Sequence, residues 1–349
     1  MDELLTWRQI SKLLRTHADG QQKITDYSLG VTEKEFFEFE EIIHRSIQKN
    51  GWFTEENVRF SLLQISKWIE EPIFQTYFRK YYDSSNGSRN IAVIMAGNIP
   101  LVGFHDFICV LMSGYRVICK MSHEDDLLLK GVYNYIHLMN PMMAQRIRFS
   151  DRKLDEFHGI IATGNESSNE SFRRYFGNKR HIFRGHRTSI AILNGKESDD
   201  DLNKLGDDIF HYFGKGCRNV THICLPINFD IQRIFKSILP YKDVILNKKY
   251  GNNYDYNKAV YLMNNIPILD NNFVLLKEDT SLFSPLSVIH YHYYKNSTDI
   301  NEFILLNKDK IQCVVGKEYT PFGSAQSPAF NDFADDKNTL EWLSEISEK

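Results

Sequence analysis

The stretch IAVIMAGNIPLVGFHDFICVLMSGYRVICK, residues 91–120, decides the fold. Two short apolar runs, IAVIMA (91–96) and VICK (117–120), enclose an apolar helical segment that Gly114 is placed to end. Neither run alternates apolar with polar residues, so both faces of each strand are expected to be buried, as in a parallel sheet covered by helices. Outward from this stretch the pattern repeats. RIRF (146–149), GIIAT (159–163) and SIAIL (189–193) read as further strands, with helices over about 125–139 and 168–176 between them. Short β runs joined by helices predict an α/β fold with a mostly parallel sheet.

Before residue 83 the pattern is helical. Phe36, Phe39, Ile43 and Ile47 recur at helical spacing, and Val58, Leu62, Ile65 and Ile69 form a second stripe opened by Thr54 as N-cap. Asp83 to Asn90 is a polar loop. Beyond the first sheet, Asp199 to Lys215 reads as a helix running into GKGCRN (214–219). A second mixed region follows, with strands THICLP, LSVIHYHYY and IQCVV and helices near 230–239 and 256–264.

Composition excludes several classes. The chain has 349 residues, 42 basic against 45 acidic, for a net charge of −3. That balance rules out a globally basic nucleic-acid coat, and 13% aromatic residues rule out wholesale disorder. No apolar run approaches the roughly 20 residues of a membrane span. The opening MDELLTWRQISKLLRTH lacks a signal-peptide core, so a cytoplasmic location is expected. Cysteines 109, 119, 217, 224 and 313 form neither a disulfide framework nor a CxxC metal motif, and no metal is expected.

Four local features carry chemistry. Cys217 lies between glycines and beside Lys215 and Arg218, positive neighbours that would favour a thiolate, although a buried inert thiol is the commoner fate of a cysteine. Cys109, Cys119, Cys224 and Cys313 sit in apolar runs and read as core. Asn98, in GNIP (97–100) straight after a buried strand, can offer an amide to a developing oxyanion or form an ordinary turn. Lys120 and Ser122 end the next strand, where a lysine reaches ribose or phosphate groups or is simply solvated. Thr163, Gly164 and Asn165 close another strand before a helix start, a favourable place for pyrophosphate. No GxGxxG occurs. The run RRYFGNKRHIFRGHR (173–187) has six Lys or Arg and no acid. In a net-acidic chain it reads as a surface face or phosphate pocket, with Arg173, Arg174, Lys179, Arg180, Arg184 and Arg187 as candidates, rather than a nucleic-acid contact.

In this order the pieces resemble the aldehyde dehydrogenase superfamily, and within it the LuxC-type acyl-CoA reductases. MAGNIPLVGFHDF with VICKMS is similar to that family's opening block. IIATGNESS, FRGHRTSIAIL and FGKGCRNVTHICLP match its middle, and SLFSPLSVIHY with PFGSAQSPAFNDFADDKNTLEWL its end. The resemblance covers about residues 90–349. It implies a Rossmann-like cofactor domain at 81–194 with the helical segment 1–80 packed on it. It further implies a smaller α/β catalytic domain at 195–315 and a segment 316–349 returning to the cofactor domain or to a partner subunit.

By motif position the resemblance makes Cys217 the nucleophile and Asn98 the oxyanion-hole amide. Lys120 and Ser122 fall at the adenosine ribose, and Thr163, Gly164 and Asn165 at the pyrophosphate, which explains binding of a nicotinamide cofactor without GxGxxG. Where aldehyde-oxidising relatives carry a glutamate that activates water, Phe183-Arg184-Gly185-His186 offers no carboxylate, which disfavours hydrolysis of an acyl-enzyme. The EIFGP-like motif reads Ser281-Leu282-Phe283-Ser284-Pro285. His123 stands where many NAD-selective relatives carry an acid, leaning the cofactor towards NADPH, with NADH as second choice.

The implied activity is reduction of an acyl-CoA to an aldehyde through an S-acyl enzyme. The chain is expected to form a homo-oligomer and to work with an acyl-transferring partner enzyme. His105, His186 and His222 are proton-donor candidates by sequence proximity, each also readable as a structural histidine. Competing readings are reduction of an acyl phosphate and a catalytically silent nucleotide-binding scaffold.

Overall fold

The computed structural model describes residues 3–21, 23–24 and 26–347. Met1, Asp2, Gln22, Thr25, Glu348 and Lys349, which belong to the expected terminal segments, lie outside the described residues. The chain divides into two units, Met1–Gly185 with Ala329–Lys349 and His186–Pro328. Among the described residues no helix is long and apolar enough to cross a membrane.

The first unit opens with helices α1 (Glu3–Ala18), α2 (Glu33–Lys49), α3 (Glu55–Glu70) and α4 (Pro72–Tyr81). Thr32 caps α2 in a reciprocal pair with Glu35, and Thr54 caps α3 by accepting from the Asn57 N–H. Strand β1 (Asn90–Ile94) follows, then α5 (Phe104–Met112) and β2 (Arg116–Lys120). Next come α6 (Leu128–Met139), the single turn α7 (Pro141–Ala144), β3 (Ile147–Phe149), β4 (Gly159–Thr163), α8 (Glu166–Phe176) and β5 (His181–Arg184). The sheet is all parallel, in the order β3-β2-β1-β4-β5. Ala92, Ile118, Ile160 and Ala162 share the face packed by Phe172 and Phe176 of α8. The chain therefore leaves β1 to one side and β4 to the other, and the strand order reverses between them. Ligands bind outside the carboxyl ends of strands at such a reversal.

The second unit begins with β6 (Thr188–Ile192), α9 (Asp199–Phe210) and β7 (Val220–Pro226). It continues through α10 (Gln232–Ser237), α11 (Lys248–Met263), β8 (Leu269–Asp270), β9 (Leu275–Glu278), β10 (Val288–Tyr294), α12 (Ser297–Leu306) and β11 (Ile311–Val315). The sheet order is β11-β6-β7-β10-β9-β8, parallel except for the β8–β9 pair. One face packs on α9 and α10 through Ile223, Leu225 and Ile289. The other carries Ile190, Ile192 and Cys224 beneath Ile300 and Phe303 of α12.

Three expectations change. The strand at 189–193 was expected in the first sheet, with a boundary at 194. It instead pairs with β7 and β11, so the unit boundary falls at Gly185/His186. An apolar run predicts a strand but not which sheet receives it. Residues 316–328 stay with the second unit, and only from Ala329 does the chain rejoin the first. There α13 (Thr339–Ser347) packs on α5, with the Tyr115 hydroxyl donating to the Leu343 carbonyl at 2.8 Å. The helix expected over 199–215 stops at Phe210. Tyr212 and Phe213 adopt left-handed backbone with φ of 52° and 58°, and Gly214 follows at 76°.

Candidate active site

In the first unit the predicted cofactor residues gather at the carboxyl edge of the sheet. The loop after β1 carries Gly97 and Asn98. Its backbone is anchored by Asn50, whose side-chain amide donates to the carbonyls of Gly97 (3.4 Å) and Glu124 (3.3 Å). Asp125 accepts the Leu101 N–H at 2.7 Å, and burial pushes its carboxyl up to about 7. The Ser61 hydroxyl donates to the Pro100 carbonyl at 2.9 Å. Gly97 is glycine for a steric reason: a Cβ there would stand 2.8 Å from the Ser122 side chain. The loops after β1 and β2 are thus in contact.

Lys120 ends β2 and donates its ammonium to the Arg152 carbonyl at 3.0 Å. The Ser122 hydroxyl accepts the Glu124 N–H at 3.2 Å, and His123 is exposed. Thr163 ends β4, and Asn165 caps α8 by accepting the Ser168 N–H at 2.9 Å. Asn98, Lys120, Ser122, Thr163, Gly164 and Asn165 therefore all lie at the carboxyl ends of β1, β2 and β4 or on the loops that follow them.

In the second unit Cys217 is exposed, whereas Cys109, Cys119, Cys224 and Cys313 are buried. Burial holds the Cys109 and Cys119 thiols well above the usual range and pushes Cys224 up to about 12. Cys217 sits on the tight turn Gly216–Asn219, which is built by one side chain. Asn219 accepts the Gly216 N–H at 2.7 Å and donates to the carbonyls of Asp208, Ile209 and His211 at 3.2, 3.1 and 2.8 Å. The Ser189 hydroxyl donates to the Cys217 carbonyl at 3.1 Å. The left-handed residues 212–214 lead directly into this turn, a strained approach that costs on the order of 1–2 kcal/mol per non-glycine residue.

Asp208, fully buried in α9, accepts the N–H groups of Gly323 (2.7 Å) and Ala325 (2.9 Å). It thereby fixes the loop of the PFGSAQSP motif. The Gln326 Oε1 on that loop lies 3.7 Å from where a Cβ of Gly216 would be, and its Nε2 is buried without a hydrogen-bond partner. Sequence reading missed Asn219, Ser189 and Gln326. The adjacency of Asn219 to Cys217 was the signal for the first, but nothing in the sequence marked the other two.

The stretch Phe183–His186 resolves differently from expectation. Arg184, proposed for phosphates, is buried and bidentate to Asp106, with Nε–Oδ2 at 2.9 Å and Nη2–Oδ1 at 2.6 Å. It also donates to the Ala334 carbonyl and the Thr339 hydroxyl. The guanidinium overcomes desolvation and holds the Asp106 carboxyl below the usual range. Arg180 donates to the Glu345 carbonyl and Arg187 to the Ile311 carbonyl, while Arg173, Arg174 and Lys179 remain exposed. Of the proton-donor candidates, His105 pairs with the Phe330 carbonyl at 2.8 Å and His222 with the Ser281 carbonyl at 3.0 Å. His186 stacks on Phe283 with centroids 4.5 Å apart.

The fold has known counterparts. The chain is similar to aldehyde dehydrogenase 21 from Physcomitrella patens in complex with succinate (9% identity, 90% of this chain and 73% of that one, TM-score 0.64). It is also similar to a P. syringae indole-3-acetaldehyde dehydrogenase in complex with NAD+ and IAA (9%, 89% and 70%, 0.63). An aldehyde dehydrogenase from Bacillus cereus matches at 12% identity over 90% and 72%, with a TM-score of 0.62. No family profile matches the chain, and no curated protein sequence does. The chain has the aldehyde dehydrogenase fold.

Proposed function

We propose that this chain is an NADPH-dependent acyl-CoA reductase that works through an S-acyl enzyme on Cys217. One observation carries the reading: the exposed cysteine of the five sits on a turn locked by Asn219, while the stretch Phe183–His186, which the resemblance sets at the hydrolytic glutamate's motif, offers no carboxylate and its Arg184 is paired with Asp106. A thiol held open to substrate can accept an acyl group. Without a carboxylate base at that stretch, the acyl-enzyme is not directed towards hydrolysis.

The first unit supports a dinucleotide. Its strand order reverses between β1 and β4, and the loops there offer an ammonium, hydroxyls and amides, a donor set suited to ribose and phosphate oxygens. Lys120 and Ser122 would hold the adenosine ribose, and Thr163, Gly164 and Asn165 the pyrophosphate at the start of α8. A bound reduced nicotinamide supplies hydride to the acyl carbon.

The rest is this chain's chemistry. The Cys217 thiolate attacks the thioester carbonyl and forms a new C–S bond. The old C–S bond breaks, and coenzyme A leaves as its thiolate. The Cys217 N–H would donate to the oxyanion, the resemblance implies the Asn98 amide as the second donor, and loss of one such donor costs about 10²–10³ in rate. After reduction the hemithioacetal collapses to aldehyde and regenerates the thiolate.

The test is incubation with radiolabelled acyl-CoA followed by aldehyde assay with NADPH and NADH compared. Label should stay on the protein, disappear in Cys217→Ala, and give aldehyde faster with NADPH. A folded, cofactor-binding sample that takes up no label overturns the acyl-transfer reading, and activity confined to acyl phosphate overturns the choice of substrate.

A further inference from the structure

Strands β7 and β10 run parallel with His290 opposite His222 and His292 opposite Cys224. Side chains two apart on a strand share a face, so these four potential ligands line the face beneath α12. His222 Nε2 lies 2.6 Å from His292 Nδ1. With Cys224 Sγ, the ligand atoms all fall within 4.8 Å of one another. Phe303 of α12 packs against both imidazoles, at centroid distances of 5.2 and 4.6 Å. His222 and Cys224 are fully buried, and His292 is half-buried.

The proton arrangement suits a cation. His222 Nδ1 lies 3.0 Å from the Ser281 carbonyl, so that nitrogen carries the hydrogen and Nε2 presents a lone pair to the cluster. A ring nitrogen anchored on a backbone carbonyl is how metal-ligating histidines are oriented. His290 makes the same bond to the Ser281 carbonyl at 2.9 Å, and its Nε2 is buried without a hydrogen-bond partner.

We infer that His222 Nε2, His292 Nδ1 and Cys224 Sγ form a three-ligand site for a zinc-class divalent cation, with the fourth position open to water. One thiolate with two imidazoles is a borderline-soft set that selects zinc over magnesium or calcium. Tetrahedral geometry with Zn–N near 2.0–2.1 Å separates two ligating nitrogens by about 3.3 Å, so the histidine pair must open by roughly 0.7 Å. The Cys224 thiol loses its proton to solvent as the metal–sulfur bond forms. The His292 proton moves from Nδ1 to Nε2, so one proton is released per cation. The site lies wholly in the second unit and needs neither Cys217 nor a dinucleotide. No CxxC spacing announced it, because its ligands come from two strands some 70 residues apart.

The experiment uses the full-length chain stripped with a chelator. Titration with Zn²⁺ should show one site per chain with a Kd below about 10 µM and release of one proton. It should also raise Tm by roughly 3–5 °C at a hundredfold excess over Kd. Co²⁺ should give a thiolate-to-cobalt charge-transfer band that Cys224→Ser abolishes and Cys217→Ser leaves intact. His292→Gln, at a half-buried position, should weaken Zn²⁺ binding roughly 100-fold while the metal-free Tm stays unchanged. That variant carries the test if Cys224→Ser does not fold. Absence of tight Zn²⁺ binding by the folded chain overturns the site, as does a cobalt band that depends on Cys217 instead of Cys224.

Discussion

Asp106 and Asp208 are both buried carboxylates, one in each unit, and each holds part of the same C-terminal motif. Their electrostatics are opposite. Asp106 meets the Arg184 guanidinium in two hydrogen bonds, and that cation carries the attachment on to Ala334 and Thr339. Asp208 meets only the N–H groups of Gly323 and Ala325, and burial pushes it up to about 7. The first carboxyl is held below its ordinary range and the second well above it. Two backbone amides do not replace a cation as compensation for desolvation. The first unit therefore ties its returning chain with a paired charge, whereas the second uses a group poised to titrate near neutrality.

The comparison breaks most visibly at the ion pair. Arg184→Met leaves Asp106 buried and uncompensated, and the first unit should lose about 3–5 kcal/mol. All four tryptophans, at 7, 52, 68 and 342, belong to that unit, so tryptophan fluorescence in urea reports it selectively. An unchanged fluorescence midpoint would show that the pair contributes nothing.

Asp208 gives the next largest effect, read as a pH dependence. Its folded value is raised, so its stabilising contribution is full below about 4 and is lost as pH rises through about 7. Relative to the parent chain, Asp208→Asn should therefore gain roughly 2–4 kcal/mol between pH 4 and pH 8. Urea unfolding of parent and variant, followed by amide exchange in β7, measures the difference. A pH-independent difference would mean that Asp208 does not titrate in this window.

The smallest effect tests the cysteine turn. Asn219→Ala strands the buried carbonyls of Asp208 and Ile209, the half-buried carbonyl of His211 and the Gly216 N–H, and should cost the second unit about 2 kcal/mol. Exchange protection in β7 should fall while the tryptophan transition of the first unit stays in place. Equal loss in both signals would contradict an effect local to the turn.

Legibility followed physics. Strands β1, β2 and β4 were readable because a strand covered on both faces must be apolar through its middle, and IAVI, VIC and GIIA are. β5 was not, because a basic run with aromatics hid a four-residue strand whose arginine turns inward to Asp106. Cys217 stood out from the other cysteines because polar and glycine neighbours cannot form a core. His222 stood out only as a proton-donor candidate and His292 not at all, since only the β7–β10 register sets His292 beside Cys224 and His222.

Local pattern thus determined the α/β class, the helix starts and the one cysteine outside an apolar run, because burial and backbone hydrogen bonding act through neighbours in the chain. Only the tertiary structure decided which sheet takes β6, what Arg184 pairs with, and which imidazoles meet the Cys224 sulfur. Those depend on strand order and register between segments distant in sequence, where side-chain identity alone carries no record of the partner.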